Sequence, residues 1–230
     1  MNNAKFAVII PARGGSKGLP GKNIIELNAT PMICYTLTAA QDLFDNSIIY
    51  VSTDSNEIKR VVEQCGVKIN RLRPSDLATD TASIIDVLFD VLNNDIQDLP
   101  DYIILMQPTS PFRNSSHLSE ALRLVSQDVD MVVSVCESHA NPYWNLFEEN
   151  SAGFLVKSKE GDYTRRQDLP SVYTYNGAIY IIKTQSLIDK KSLKFEKIVK
   201  YVMDKQSSVD IDDILDFKFA QLLMGKNGQN

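Results

Sequence analysis

The chain is short of the residues that mark secreted, zinc-bound or membrane-embedded proteins. Three cysteines, Cys34, Cys65 and Cys136, are scattered through 230 residues, and no Cys-x-x-Cys pair occurs. That excludes a zinc ribbon and a disulfide framework and fits a reducing compartment, with the thiols expected as small buried apolar groups. The two histidines, His117 and His139, make no metal pair and have no evident nucleophile partner, so both are expected to pack or to face solvent. Long apolar runs are missing as well. The first, Phe6 to Ile10, stops at Pro11 and is too short for a signal peptide's apolar region or a bilayer span. The expected location is therefore cytoplasmic, with no membrane partner. An excess of basic charge is also absent: 24 Lys and Arg against 29 Asp and Glu leave a net charge of −5, which argues against nucleic acid as a partner.

What is present is an ordinary globular composition, 43% hydrophobic and 23% charged, at a length that suits a single domain over residues 1–230. Phe6–Pro11 reads as a buried strand, and Pro31–Phe44 is apolar enough for a helix. Ser47–Thr53, Tyr102–Met106, Asp130–Val135 and Tyr175–Lys183 read as further strands. Helical periodicity marks Ser55–Cys65, Thr81–Leu92, Asn114–Val125 and Ile211–Met224, with Gly225–Asn230 expected as a frayed tail. This alternation predicts an α/β fold, a mostly parallel sheet with helices on both faces. Ligands on such sheets sit outside the carboxyl ends of strands. Ala12–Asn23, Thr53-Asp54 and Gln107–Arg113 each follow a strand, so they should share one rim. Residues 137–174 break the rhythm and read as an excursion whose Tyr143, Trp144, Leu146 and Phe147 need cover, from a second subunit or from the chain's own core.

The stretch FAVIIPARGGSKGLPGKNII, residues 6–25, has the look of a phosphate-binding loop without matching a standard one. A Walker A loop would need Gly where Ser16 stands and Ser or Thr where Asn23 stands; the dinucleotide fingerprint fails because Gly14 and Gly15 are adjacent. Gly14, Gly15 and Gly18 nevertheless let backbone amides approach an anion, and Arg13, Lys17 and Lys22 surround them with positive charge. Pro20 stiffens the loop. Three cations around three glycines point to a di- or triphosphate.

Four other stretches can bear chemistry. In Val209-Asp210-Ile211-Asp212-Asp213, extended backbone puts Asp210 and Asp212 on one face, a donor set suited to Mg²⁺ with substrate phosphates and water. The same residues also suit a helix start, with Asp210 as N-cap and Asp212 and Asp213 in the first turn. Arg165, Arg166 and Gln167 can bind a carboxylate or hydroxyls, or form an exposed basic loop. Gln107 opens a Pro-fixed turn and offers both a donor and an acceptor, while Asn114, Ser115 and Ser116 are good caps for the next helix. In Asp76–Ser83, Ser83 can face a base or ribose and nearby Arg73 a phosphate; Asp80 as N-cap is the plainer local reading.

Together, IIPARGGSKGLPGKN, RPSDLATDTAS, LMQPTSPFR, RRQDLP with YNGAIYI, and SVDIDD follow the order of motifs in acylneuraminate cytidylyltransferases, from about Phe6 to Phe217. The resemblance implies a Rossmann-like nucleotidyltransferase domain that moves CMP from CTP to the anomeric hydroxyl of a nine-carbon acidic sugar, N-acetylneuraminic acid or a relative such as legionaminic acid. It implies a Mg²⁺ requirement, with Mn²⁺ as a substitute, and a homodimer built through the excursion. On the family pattern Ala12, Arg13, Gly14, Gly15, Ser16, Lys22, Asn23, Arg73 and Ser83 resemble nucleotide-binding residues. Gln107, Arg165, Arg166, Gln167 and Tyr180 resemble sugar-binding residues, and Asp210 and Asp212 metal ligands, with Arg13, Lys22 and Asp212 expected to carry catalysis. The family often has Leu at the positions of Met106 and Phe112, and Ser at that of Ala82; these departures spare every charged group. Two rival classes stand beside this one. A metal-dependent nucleotide-sugar glycosyltransferase also uses Asp-x-Asp but has no need of the Arg13–Lys22 grip. A non-catalytic nucleotide-binding module could dispense with Asp210 and Asp212.

Overall fold

The computed structural model describes residues 4–16 and 18–226. Lys17 and the expected tail from residue 227 onward lie outside the described residues. The first strand, β1 (Phe6–Pro11), buries Val8, Ile9 and Ile10 completely. A strand apolar on both faces needs cover on both, so it belongs in the middle of a sheet. A two-residue hairpin of β2 (Glu26–Leu27) and β3 (Thr30–Pro31) turns at Asn28 and Ala29, both with positive φ, and delivers the chain into α1 (Met32–Gln41). Next come β4 (Ile49–Ser52) and α2 (Asn56–Gln64), which Ser55 caps by accepting from the amides of Glu57 and Ile58. After α3 (Ile84–Asn94) and β5 (Tyr102–Leu105), Asn114 and His117 form a reciprocal capping box at the start of α4 (Ser115–Leu122). His117, expected to pack or to face solvent, instead has a capping role, its Nδ1 accepting from the Asn114 amide.

The second half runs through β6 (Met131–Glu137), a small hairpin of β7 (Phe147–Glu149) and β8 (Leu155–Lys157), then β9 (Tyr173–Lys183), α5 (Thr184–Lys190), β10 (Ile198–Val202) and α6 (Ile214–Lys226). The six-stranded sheet has the order β10-β6-β9-β5-β1-β4. Five strands run the same way, as expected; β9 alone is antiparallel, to β5 on one side and to β6 on the other. Successive side chains of a strand point to opposite faces. Ile10 and Ile104 accordingly join a core with Leu37 and Val62 of α1 and α2, while Ile9 and Ile103 join another with Leu88 and Val91 of α3. A third apolar cluster holds Leu19 of the glycine loop against Leu27, Met32, Ile211 and Phe217. That cluster carries the loop to the acidic stretch near the end of the chain.

The antiparallel strand bends where it matters for the rim. The β6–β9 register shifts between Val133 and Val135, opposite Gly177 at φ 75. Fully buried Ser134 sits at the shift: its hydroxyl donates to Asn176 Oδ1 (2.6 Å) and accepts from the Ile179 amide (2.8 Å). Asn176 Nδ2 in turn donates to Ser208 Oγ at 2.9 Å, two residues before Asp210. Ser134→Ala leaves the buried Ile179 amide without its partner and should lower unfolding free energy by about 1–3 kcal/mol in chemical denaturation.

Candidate active site

The rim converges as expected. A cavity of about 560 Å³ opens beyond the carboxyl ends of β1 and β5, walled by the glycine loop, by residues 73–87 and by the turn after β5. Arg13, Ser16, Lys22, Asn23, Arg73, Gln107 and Asp212 line it. Arg13 and Lys22 of the loop each hold a carboxylate. Arg13 Nη1 lies 2.6 Å from Asp80 Oδ1, and Lys22 Nζ lies 2.9 Å from Asp212 Oδ1. The second pair spans 190 residues and joins two stretches that are separate motifs in the sequence. Asn23 is buried and donates from Nδ2 to the Arg13 carbonyl at 2.9 Å, so it braces the loop from inside.

Backbone contact reinforces the joint. A Cβ on Gly18 would stand 2.5 Å from the carbonyl oxygen of Asp212. Only glycine lets the loop come this close. From the other side, the Ile211 amide donates to the Thr109 carbonyl at 2.9 Å, which fixes the acidic stretch to the turn after β5. A Cβ on Gly177 would lie 3.0 Å from Gln107 Oε1 and 3.5 Å from Asp210 Oδ2, so the bend in β9 is where Gln107 and Asp210 meet. Burial is the main reason the Asp210 carboxyl sits above its ordinary range; the Asp212 charge adds to this, while Thr109 and Lys22 oppose it. Burial likewise raises the Tyr180 phenol, with the charge of Asp210 second. Tyr180 stands opposite Leu105 in the β5–β9 pairing, three residues along β9 from Gly177.

The helix-start reading of the acidic stretch resolves onto one residue. Asp213 Oδ1 accepts from the amides of Leu215 and Asp216 at the start of α6, while Asp216 Oδ2 accepts from those of Asp212 and Asp213. Asp210 and Asp212 precede the helix and are left for other work. Asp210 Oδ1 is buried with no hydrogen-bond partner, and the Asp212 side chain is 76% exposed beside the cavity. Among the described residues no group of three or more His, Cys, Asp or Glu side chains gathers that could hold a metal alone. Two carboxylates with an orphaned oxygen fit Mg²⁺, which takes one or two protein carboxylates and completes its shell with phosphate and water.

A family model described as cytidylyltransferase matches residues 7–228. An N-acylneuraminate cytidylyltransferase of Streptococcus agalactiae is 40% identical over 91% of this chain, and the chain spans 51% of that relative's length. The CMP-N,N'-diacetyllegionaminic acid synthase of Legionella pneumophila is 36% identical over 97% of both chains. The chain belongs to the acylneuraminate cytidylyltransferase family. Its fold also matches, at TM-score 0.71 and 18% identity, a CMP:2-keto-3-deoxy-manno-octonic acid synthetase solved with CTP, covering 97% of this chain and all of that one. Some curated relatives are longer: the chain spans about half the length of the S. agalactiae proteins.

Within this family member, several expected residues are engaged with the protein itself. The Gly14 amide donates to Asp54 Oδ1 at 2.8 Å and so is spent on bracing the loop. Ala12 is fully buried, its amide held by the Ser52 carbonyl, and Gly15 has open space where a Cβ would stand. Arg73 is buried and reaches back to β4, Nε to Ser52 Oγ (2.9 Å) and Nη2 to the Ser52 carbonyl (2.5 Å). Ser83, not Asp80, caps α3 by accepting from the Ile85 amide. Asp80 is instead the acid that holds Arg13. Arg165, Arg166 and Gln167 are exposed in a short helical turn of the excursion and do not line the loop cavity of this chain. Arg165 pairs with Asp168, and Arg166 meets His139, which also contacts Lys205 beside a separate cavity.

Two residues that lie inside the quoted motifs, but to which the sequence reading gave no role, hold the corner together. Gly177 is one. Arg113 is the other: fully buried, it donates to the Gln107 and Ala178 carbonyls and to Thr36 Oγ1, with Nη1 unpartnered. Burial pushes its guanidinium down to about 9, still charged at neutral pH. The Arg13–Asp80 pair is partly exposed, 33% and 38% by side chain, so it is weak. Asp80→Asn should accordingly tighten binding of inorganic tripolyphosphate by no more than about fivefold in calorimetry, with the gain shrinking at high salt.

Proposed function

We propose that this chain is a nucleotidyltransferase that moves CMP from CTP to the anomeric hydroxyl of a nonulosonic acid and releases pyrophosphate. The observation that carries the reading is the Lys22–Asp212 contact, which brings a triphosphate-type loop and the Asp212 end of the Asp-x-Asp stretch to one cavity. Family membership supports the reaction class, and relatives named for N-acylneuraminate and for N,N'-diacetyllegionaminic acid support a nine-carbon acidic sugar.

The residues divide the work by their chemistry. Lys22 and Arg13 take the triphosphate oxygens, exchanging Asp212 and Asp80 for them, and stabilise charge on the departing pyrophosphate. Asp210 and Asp212 would hold Mg²⁺, or Mn²⁺ in its place, which when bound would supply neutralisation of phosphate charge and acidification of the attacking hydroxyl. Gln107 and Tyr180 flank the Asp210 corner and orient the sugar. Asn23, Gly14 and Asp54 keep the loop in shape, so that little conformational freedom is lost on binding.

The excursion is read as a dimer surface. Trp144, Leu146, Phe147, Phe154, Leu155 and Val156 remain exposed on it, and a concentration of large apolar side chains on one short segment is the mark of an interaction surface. The sugar-side roles of Arg165, Arg166 and Gln167 at the loop cavity then require a second copy to bring them there. No helix among the described residues is long and apolar enough to cross a membrane.

The test is a pyrophosphate-release assay with CTP, Mg²⁺ and a panel of nonulosonic acids. Release with at least one of them is expected, and silence with all would overturn the reading. Lys22→Ala and Asp212→Ala should each lower kcat by about 100- to 1000-fold at saturating Mg²⁺. Gly18→Ala keeps every functional side chain yet pushes the loop off the Asp212 carbonyl, and should cost on the order of 100-fold in turnover.

A further inference from the structure

Away from the cavity, two thiols meet. Cys34 lies in α1 and Cys65 caps the C-terminus of α2, and their sulfurs are 2.6 Å apart across 31 residues of chain. Two unbonded sulfurs do not rest this close, and a sulfur–sulfur bond is about 2.05 Å long. Both side chains pack on the same core cluster while keeping partial access to solvent. The backbone around Cys65 is well held: its amide donates to the Val61 and Val62 carbonyls, its carbonyl accepts from Gln41 Nε2 at 2.8 Å, and Gly66 comes next at φ 87. No third Cys, His, Asp or Glu among the described residues joins the pair in a metal-binding group. The contact therefore has the makings of a bond.

We infer that Cys34 and Cys65 are a disulfide-forming site, oxidised by a small-molecule disulfide such as glutathione disulfide and compatible with the native packing of α1 on α2. The Cys65 thiolate attacks the small disulfide, forms a mixed disulfide and expels one thiolate. Cys34 then gives up its proton and attacks the Cys65 sulfur, expelling the second thiol. In sum, two protein thiols and one small disulfide become one protein disulfide and two small thiols. Burial, then the hydrogen bond and charge of Cys65, push the Cys34 thiol up to about 12. This sets the order of events: Cys34 is the poorer first nucleophile, and capping Cys65 removes two of the three causes that hold its proton.

The experiment incubates the full chain with glutathione disulfide or with dithiothreitol, then measures intact mass, a non-reducing peptide map and melting. The oxidised protein should lose two hydrogens, carry no retained glutathione on either residue, show Cys34 joined to Cys65, and melt roughly 5 °C higher. Cys34→Ser should instead trap one glutathione on Cys65. Two free thiols, separate glutathione adducts on the wild-type pair, a bridge to Cys136, or a Cys34–Cys65 bridge that lowers the melting point would each overturn the inference.

Discussion

The site depends on one strand running against its neighbours. β9 lies between β5 and β6, so it joins the two parallel parts of the sheet, and its bend at Gly177 is possible because Ser134 and Asn176 satisfy the polar groups that a broken ladder leaves behind. A bulge of this kind turns the strand and re-aims its side chains. Here it opens room beneath Gln107 and Asp210, and the same Asn176 side chain reaches Ser208 to hold the acidic stretch in place. Core and rim are thus built by the same few hydrogen bonds.

Electrostatics give the cavity its second character. Arg13 and Lys22 do not wait free: each holds an acid, and both pairs are at least partly open to water. Contacts of this kind cost little to exchange, so a polyanion with a divalent cation can replace both carboxylate partners with little net loss of pairing. Arg113 is the opposite case. Buried without an acid, it spends its donors on carbonyls and one hydroxyl, tying the turn after β5 to β9 and to α1. Its burial demands a compensating role, and the corner formed by Gln107 and Gly177 is where its bonds converge.

Much of the fold is legible in the sequence for stated reasons. β1 matches its expected bounds because a buried strand between a polar start and Pro11 admits few alternatives. α2 and α4 are legible from periodicity and caps, Ser55 and Asn114. α6 starts three residues later than the pattern implies and continues through Gly225, because Asp213 takes the cap and Ile211 belongs to the turn before it. β10 escapes notice because it is an edge strand of five residues interrupted by Lys200, and α5 because it is only seven residues long. The direction of β9 cannot be read from one strand's residues, since a strand buried on both faces looks alike in either orientation.

The sequence by itself determined the kinds of groups on the rim and which strands would present them. Glycines, cations and Asp-x-Asp are local patterns, and alternating strands and helices force their loops to one edge. Tertiary structure alone decided who meets whom. Lys22 finds Asp212, Arg13 finds Asp80, Gly14 finds Asp54, and Arg165 and Arg166 stay clear of the cavity. Those pairings come from the close approach at Gly18, the apolar cluster around Leu19 and Ile211, and the bend at Gly177. Each rests on contact between segments far apart in the chain, which no local pattern encodes.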